Sequence, residues 1–439
     1  MAWSVFSHLL DSTLLRDTAM HFPASRYHIA IAAIFALLIV ASTDALAQKK
    51  PKDFGIPLTP PDPQDEFVVA INFGYGQGPK ESEDPKIFEK LLVNAKKAGY
   101  NTIYCVYRDW RVELCRKHKM RMMIDILAHH DDAKTDVRRK EQRETVKKIC
   151  EKVKGDKAVW GYNLWNERLD KFSPGGIDAM HENLALLRKW DPTHPVWVGT
   201  YLGYFLDRVQ GTAGTLAYYD YHWSRGLGLH YNTITHLHKL CQTRADDWGR
   251  WILVNPDPRK SLYTINTSIA HGMKVMIWFI NGAVNPKTGE LNPKHEHLKV
   301  HAEIRHLYGE IAALGKPRAV YSTPMTRTMD DKPGPGTVPR PLKAFPKEEW
   351  VQVTSGEAFV GIFKYDSGAD ALYVANHNAL KPQKMTLSLK PAKGKQVKVE
   401  MFDRAKGGWK PLKLDGQKVS FDLGPGLGEL LRITGVASL

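Results

Sequence analysis

Short apolar runs separated by amphipathic stretches recur from Phe67 to about Leu314, and that alternation predicts repeated strand-helix units. Eight runs have strand length: 67–73, 102–107, 122–128, 159–165, 196–200, 216–222, 251–255 and 274–280. Between them apolar residues return every three or four positions, as in Val146, Ile149, Cys150 and Val153, or Ile177, Met180, Leu184, Leu187 and Trp190. Each set lines one face of a helix. The last helix carries Leu298, Ile304, Leu307, Ile311 and Leu314 on one face. Eight such units within about 250 residues fit a (β/α)8 TIM barrel. A doubly wound sheet would instead show a glycine-rich phosphate turn after its first strand. The segment Asn72-Phe73-Gly74-Tyr75-Gly76-Gln77-Gly78 has neither the dinucleotide spacing nor the Lys-Ser/Thr of a phosphate loop, and reads as a loop over a pocket.

The pattern changes after Ser322. Residues 323–345, with Asp330-Asp331-Lys332-Pro333-Gly334-Pro335-Gly336, read as a Pro/Gly-rich linker unable to hold regular structure. Beyond it, runs at 350–353, 359–365, 371–376, 385–389, 397–402, 418–421 and 429–434 alternate with turns and show no helical period. That predicts a C-terminal β-sandwich over 346–439, packed against or tethered to a barrel over 48–322.

The remaining N-terminal residues have a different character. Ile29 to Ala41 is an unbroken apolar run, preceded by Arg26 and followed by Ala45-Leu46-Ala47. It is short for a bilayer span, and the small-x-small triplet suits signal peptidase, so 1–47 is expected to be a signal peptide cleaved near Gln48. The mature protein would then be secreted or periplasmic, with no stable membrane span. The formal charge is +15, or +16 without 1–47. That balance leaves an acidic polysaccharide open as a partner, with a solvated basic surface as the favoured reading, and since the lysines are spread along the chain without interleaved aromatics, no nucleic acid is expected. Cys105, Cys115, Cys150 and Cys241 have no metal-binding spacing. Cys115 and Cys150, on consecutive helices, could pair after export; buried free thiols are the other reading.

In a barrel the C-terminal strand ends converge on one mouth, so they can be read as a single pocket. They supply Asn72, Phe73 and Tyr75; Tyr107, Arg108, Asp109 and Trp110; His129, His130, Asp131 and Asp132; Asn166, Glu167 and Arg168; Tyr201 and Tyr204; Asp220, His222, Trp223 and Arg225; Asn255 and Asp257; Trp278 and Asn281. Aromatic faces among carboxylates, amides and arginines suit a sugar ring, whose C–H face stacks and whose hydroxyls hydrogen-bond. Tyr75, Arg108, His129, His130, Asp220, His222, Trp223 and Trp278 are taken as substrate-binding residues, although at least half of Trp110, Trp165, Trp223 and Trp278 should be core packing. A metal cluster at His129-His130-Asp131-Asp132 is disfavoured and no cofactor is expected.

The strand-four ending GYNLWNER resembles that of clan A glycoside hydrolases, whose fourth strand ends in Asn-Glu. A strand-eight aromatic, here Trp278, and a C-terminal β-sandwich are further shared features. The resemblance implies a glycosidase acting on a poly- or oligosaccharide, with Asn166 contacting the sugar 2-hydroxyl and Glu167 as general acid/base. Such hydrolysis needs a second carboxylate, which the clan supplies as a strand-seven Glu. Here strand seven, WILVNPDPRK, has none, and Asp257 is the nearest substitute; Asp125, Asp131, Asp132 and Asp220 are alternatives. Two other readings stay open: a non-catalytic glycan-binding barrel that has lost the second carboxylate, and a metal-dependent barrel hydrolase.

Overall fold

The structure is a computed structural model that describes residues 53–73, 83–126, 136–165, 174–200, 206–218, 226–253, 255–279, 282–328, 332–365 and 367–437. Eight parallel strands, β1 (Val68–Asn72), β2 (Thr102–Val106), β3 (Arg121–Asp125), β4 (Val159–Trp165), β5 (Val196–Thr200), β6 (Thr215–Tyr218), β7 (Asp247–Ile252) and β8 (Met273–Trp278), close into a barrel in chain order. The helices between them are α1 (Pro85–Lys97), α2 (Asp109–His118), α3 (Asp136–Val153), α4 (Pro174–Trp190), α5 (Leu227–Gln242) and α6 (Pro258–Ala270), with α7 (Glu296–Ile304) and α8 (Tyr308–Ala313) after β8. Each forms for local reasons. In α1, Asp84 accepts from the Lys86 amide, Pro85 opens the first turn, and Phe88, Leu91, Leu92 and Ala95 form the buried stripe.

Alternation along the strands sends one set of side chains inward and the other to the helix layer. Val68, Ala70, Tyr104, Met123, Trp160, Trp197, Ala217, Trp251, Val275 and Ile277 fill the interior. Their rings meet edge to face, with Trp197 6.4 Å from Trp251 and Tyr104 6.0 Å from it. These indoles require empty space beside them. A Cβ on Gly249 would stand 2.5 Å from the Trp197 ring and 2.8 Å from the Val275 carbonyl, so β7 passes there only as glycine.

Residues 323–345 hold more structure than the sequence suggests. Strands β10 (Met325–Arg327) and β11 (Pro333–Thr337) pair antiparallel, and β9 (Ala319–Ser322), expected to close the barrel segment, is an edge strand of the C-terminal domain. That domain is a β-sandwich. One sheet runs in the order β12 (Val351–Ser355), β15 (Gln383–Leu389), β19 (Lys418–Leu423), β18 (Leu414–Asp415). The other runs β17 (Trp409–Leu412), β16 (Lys398–Phe402), β20 (Gly428–Thr434), β14 (Asp370–Asn376), β13 (Ala358–Lys364), β9. Val360, Ile362, Leu372, Val374, Met385, Leu387 and Leu431 are among the buried residues between them.

Barrel and sandwich belong to one compact unit from Phe54 onward. Their seam is α6, in which every residue from Ser261 to Ala270 is buried. Its polar side chains find partners there: Asn266 accepts from the Tyr373 hydroxyl at 2.6 Å and donates to the Gly426 carbonyl at 3.0 Å. A Cβ at Gly361 would lie 2.1 Å from the Ala270 carbonyl, so strand and helix touch through backbone. All four cysteines are buried free thiols, and burial pushes Cys115 and Cys150 up to about 12.

The seam also holds neutral histidines. His271 donates to the Thr267 carbonyl (2.7 Å), His377 pairs with the Ser322 hydroxyl (2.7 Å), and Phe359 packs against both. Burial pulls both imidazoles down to about 3, and His238 beside His271 to about 4. A base depressed in the folded state adds stability that is complete above the unfolded value near 6.5 and declines as pH falls toward the folded value. Thermal unfolding followed from pH 7 to pH 4 should therefore show a falling midpoint, beginning below about 6.5. A midpoint that stays flat across that window would refute the buried neutral histidines.

Candidate active site

The mouth defined by the C-terminal strand ends is where side chains from different strands meet. Asn72, at the end of β1, donates to the Phe279 carbonyl just past β8 at 3.3 Å, tying the two edges of the closure together. One layer below, the Asn163 amide on β4 donates to the Tyr104 hydroxyl on β2, bridging the two strands that flank β3. The Asn163 carbonyl oxygen is buried without a hydrogen-bond partner among the described residues. Asp125, level with Asn163 in the β3–β4 register, is half-buried. A polar tier thus lies under the mouth, and the sequence offered it only as scattered letters inside apolar runs.

Beside Asp125 a cleft of about 710 Å³ opens between the ends of β2 and β3 and helix α3, lined by Tyr107, Arg108, Asp125, Gln142 and Lys152. Its rim is charged on both signs. Arg108 reaches Glu83 at 3.3 Å and the Tyr107 carbonyl at 3.0 Å, while Lys152 meets Asp109 at 2.6 Å. Burial, and then the hydrogen bond it donates to Asp109, raise the Tyr107 phenol well above its ordinary value. Below this loop the buried Arg111 guanidinium donates to the Val106 carbonyl at 2.9 Å and lies 5.0 Å from the Trp110 ring and 5.2 Å from the Phe88 ring. Arg111 thereby fixes the path that carries Tyr107 and Arg108 to the mouth; inside a helix sequence it had no distinguishing signal.

The structure moves two of the expected residues. Strand seven occupies Asp247–Ile252, starting four residues before the apolar run 251–255, because it carries a half-buried Asp247 at its start and a buried Arg250 on its helix-facing side. Arg250, for example, donates to His230 at 2.9 Å and to the Ser268 hydroxyl at 3.2 Å. Asp257 therefore sits five positions past the strand, as N-cap of α6. Its Oδ1 accepts from the Arg259 amide (3.0 Å) and Nε (2.9 Å), and its Oδ2 from Nη2 (2.8 Å). The Arg259 guanidinium holds the carboxyl below the usual aspartate range, and the side chain is 25% exposed.

Trp278 is the second displacement. The β7–β8 pairing runs Trp248 to Met273 and then Gly249 to Val275, a bulge that skips Lys274 and sets the parity of the remaining strand. Val275 and Ile277 consequently face the interior, and Trp278 faces outward. Its indole is wholly buried, donates to His301 Nε2 at 2.8 Å and stacks on His297 at 3.7 Å. The residue expected as a sugar platform is packing between barrel and α7. Glu167, Asn166, Tyr75, His129, His130, Asp220, His222 and Trp223 lie outside the described residues, as do residues 1–52 with the expected signal peptide. No described helix is long and apolar enough to cross a membrane.

No protein-family model matches the sequence, and no curated protein matches it. Solved structures do. A glycoside hydrolase aligns over 85% of this chain and 93% of its own with a TM-score of 0.52 at 10% identity. A GH27 β-L-arabinopyranosidase from Geobacillus stearothermophilus covers 88% of this chain and 98% of its own (TM-score 0.48, 10% identity). An Anoxybacillus alpha-amylase covers 85% and 99% (TM-score 0.47, 12% identity). At such identity the likeness is one of architecture. What the likeness shows is the expected architecture, a (β/α)8 barrel carrying a C-terminal β domain.

Proposed function

We propose that the protein is a secreted glycoside hydrolase cleaving O-glycosidic bonds of a poly- or oligosaccharide. One observation carries this reading: Asn166-Glu167 follows directly on β4, the fourth strand of a closed parallel barrel, which ends at Trp165. In a barrel of this kind the residues that follow a strand's C-terminal end line the mouth, which is the support for giving this pair the catalytic role. In the proposed reaction Glu167 gives its proton to the glycosidic oxygen as the bond from that oxygen to the anomeric carbon breaks. A second carboxylate either bonds to the anomeric carbon, to be displaced by water, or takes the proton of an attacking water.

Asp257 is the carboxylate that the strand-seven loop offers for this second role. Its depressed pKa keeps it ionised, as a nucleophile or base must be, and Arg259 holds it in one orientation. The same contacts favour the rival reading, in which Asp257 serves the helix alone and the barrel only binds glycan. Asparagine caps helices about as well as aspartate, which separates the two roles.

Glu167→Gln is expected to lower turnover of a glycan hydrolysed by the wild type by about 10²- to 10⁴-fold, with the smallest loss on aryl glycosides whose leaving group needs no proton. Unchanged hydrolysis would exclude Glu167 as the acid. Asp257→Asn should abolish turnover to a similar degree while the unfolding midpoint stays nearly constant. Wild-type turnover in that variant would assign Asp257 to helix capping.

A further inference from the structure

The β-sandwich carries a concentration of positive charge that the barrel mechanism does not use. Residues 381–418 hold eleven Lys and Arg against three Asp and Glu. Six of these lysines, Lys390, Lys393, Lys395, Lys398, Lys413 and Lys418, come from separate turns and strand starts that the topology gathers at one end of the domain. The Leu389 amide donates to the Gln417 carbonyl (2.9 Å), Ser388 is in register with Lys418, and the Ala392 amide donates to the Gly435 carbonyl (2.9 Å). Lys398 opens β16 opposite Thr434, and Lys413 follows directly on Leu412, which pairs with Val399.

Like charges gathered at one end of a domain repel one another, so an anionic partner would relieve them. Within the chain none is present: all six side chains are exposed, and none lies within ion-pair distance of a carboxylate among the described residues. Elsewhere the pattern is different, with Arg404 meeting Glu429 at 2.8 Å and Arg432 meeting Glu400 at 2.8 Å. Of the nearby carboxylates, Glu400 is taken up by Arg432, and the exposed Asp415 opposite Lys418 is too little to neutralise the cluster.

We infer that this end of the sandwich binds an anionic polysaccharide, one bearing carboxylate or sulfate groups, and so tethers the enzyme to it. The inference rests on the glycan-directed reading of the barrel but concerns a separate surface. The loops around 376–381 and 424–428 meet the first turn of α6, where the Leu380 carbonyl accepts from Arg259, and the lysines lie at the opposite ends of β14 and β20. A polymer held there leaves the barrel mouth open. Lysines suit it as dispersed point charges for spaced anions, where phosphate recognition favours the bidentate fork of Arg. The adjoining sheet face adds Thr354, Thr386 and Ser420 hydroxyls as hydrogen-bonding groups. A membrane surface would call for exposed apolar anchors, and the exposed large apolar residues described, Leu58 and Val106, are both on the barrel. Nucleic-acid strands would call for stacking aromatics among the lysines, and the six have none beside them in sequence.

The test is retention of the full chain, in the Glu167→Gln background, on immobilised polygalacturonate developed with a salt gradient. Binding is then read without catalysis, so a failure of the hydrolase assignment leaves the result interpretable. Retention that weakens with salt is expected, together with no retention on a neutral galactan. Replacing Lys393, Lys395 and Lys398 by Gln should weaken affinity about tenfold. Replacing Lys86, Lys97 and Lys189 of the barrel should leave it unchanged, and the unfolding midpoint of both variants should match the parent. Equal losses in the two variants, or equal retention on duplex DNA or phosphatidylserine-containing vesicles, would overturn the inference.

Discussion

Closure of eight parallel strands on themselves is the constraint from which the rest follows. A closed parallel sheet has no free edge, so its backbone groups are satisfied only if every strand keeps its register around the whole circle. Keeping it depends on the interior being filled, and here Trp160, Trp197 and Trp251 do much of the filling. Their size dictates glycine at 249 and fixes which residues of each neighbouring strand can point inward. Once parity is set by this packing, so is the list of residues that emerge at the mouth. The polar tier of Asn163, Tyr104 and Asp125 is the last interior layer before it.

Helix α6 transmits that frame to the second domain. A surface helix buries one stripe, but α6 buries nearly its whole circumference, because barrel strands cover one side and β13, β14 and β20 the other. Its Ser, Thr and Asn residues are tolerated because each finds a partner within the helix or across the seam. The first turn of the same helix carries Asp257 and Arg259, and Arg259 also donates to the Leu380 carbonyl of the sandwich at 3.4 Å. The β domain therefore braces the loop that follows strand seven. Buttressing and binding are assigned to opposite ends of one domain.

Periodicity made the architecture legible: the eight barrel strands and seven of the sandwich strands are visible in alternation, within a few residues at their ends, while the short β17 and β18 show no run of their own. What it could not convey was parity. The bulge that skips Lys274 depends on how β8 meets β7, a tertiary fact, and with Val275 and Ile277 seated beside Val68 and Ala70 in the interior, Trp278 falls on the helix layer. Strand seven was misplaced for a related reason, since DWGRWI looks unlike a buried strand until Arg250 is seen bonded to His230 and Ser268 behind the barrel. The hairpin of β10 and β11 was hidden by its prolines and glycines, which edge pairing tolerates and central pairing does not. Asn166-Glu167 drew its significance from strand counting, which the closed barrel upholds, whereas its own side-chain geometry lies outside the described residues.

The position of Asp257 also limits the chemistry open to it. A carboxylate at a helix N-terminus, gripped by an amide and a guanidinium, is stabilised as the anion, and that same stabilisation weakens it as a proton acceptor. A general base works best with a pKa near the working pH, so activating water across the sugar would be poorly served by this residue. A nucleophile faces a different demand, because it must later leave the anomeric carbon, and a well-stabilised carboxylate is the better leaving group. Under the two-carboxylate mechanism, the cap thus weighs toward a covalent glycosyl intermediate and retention of configuration.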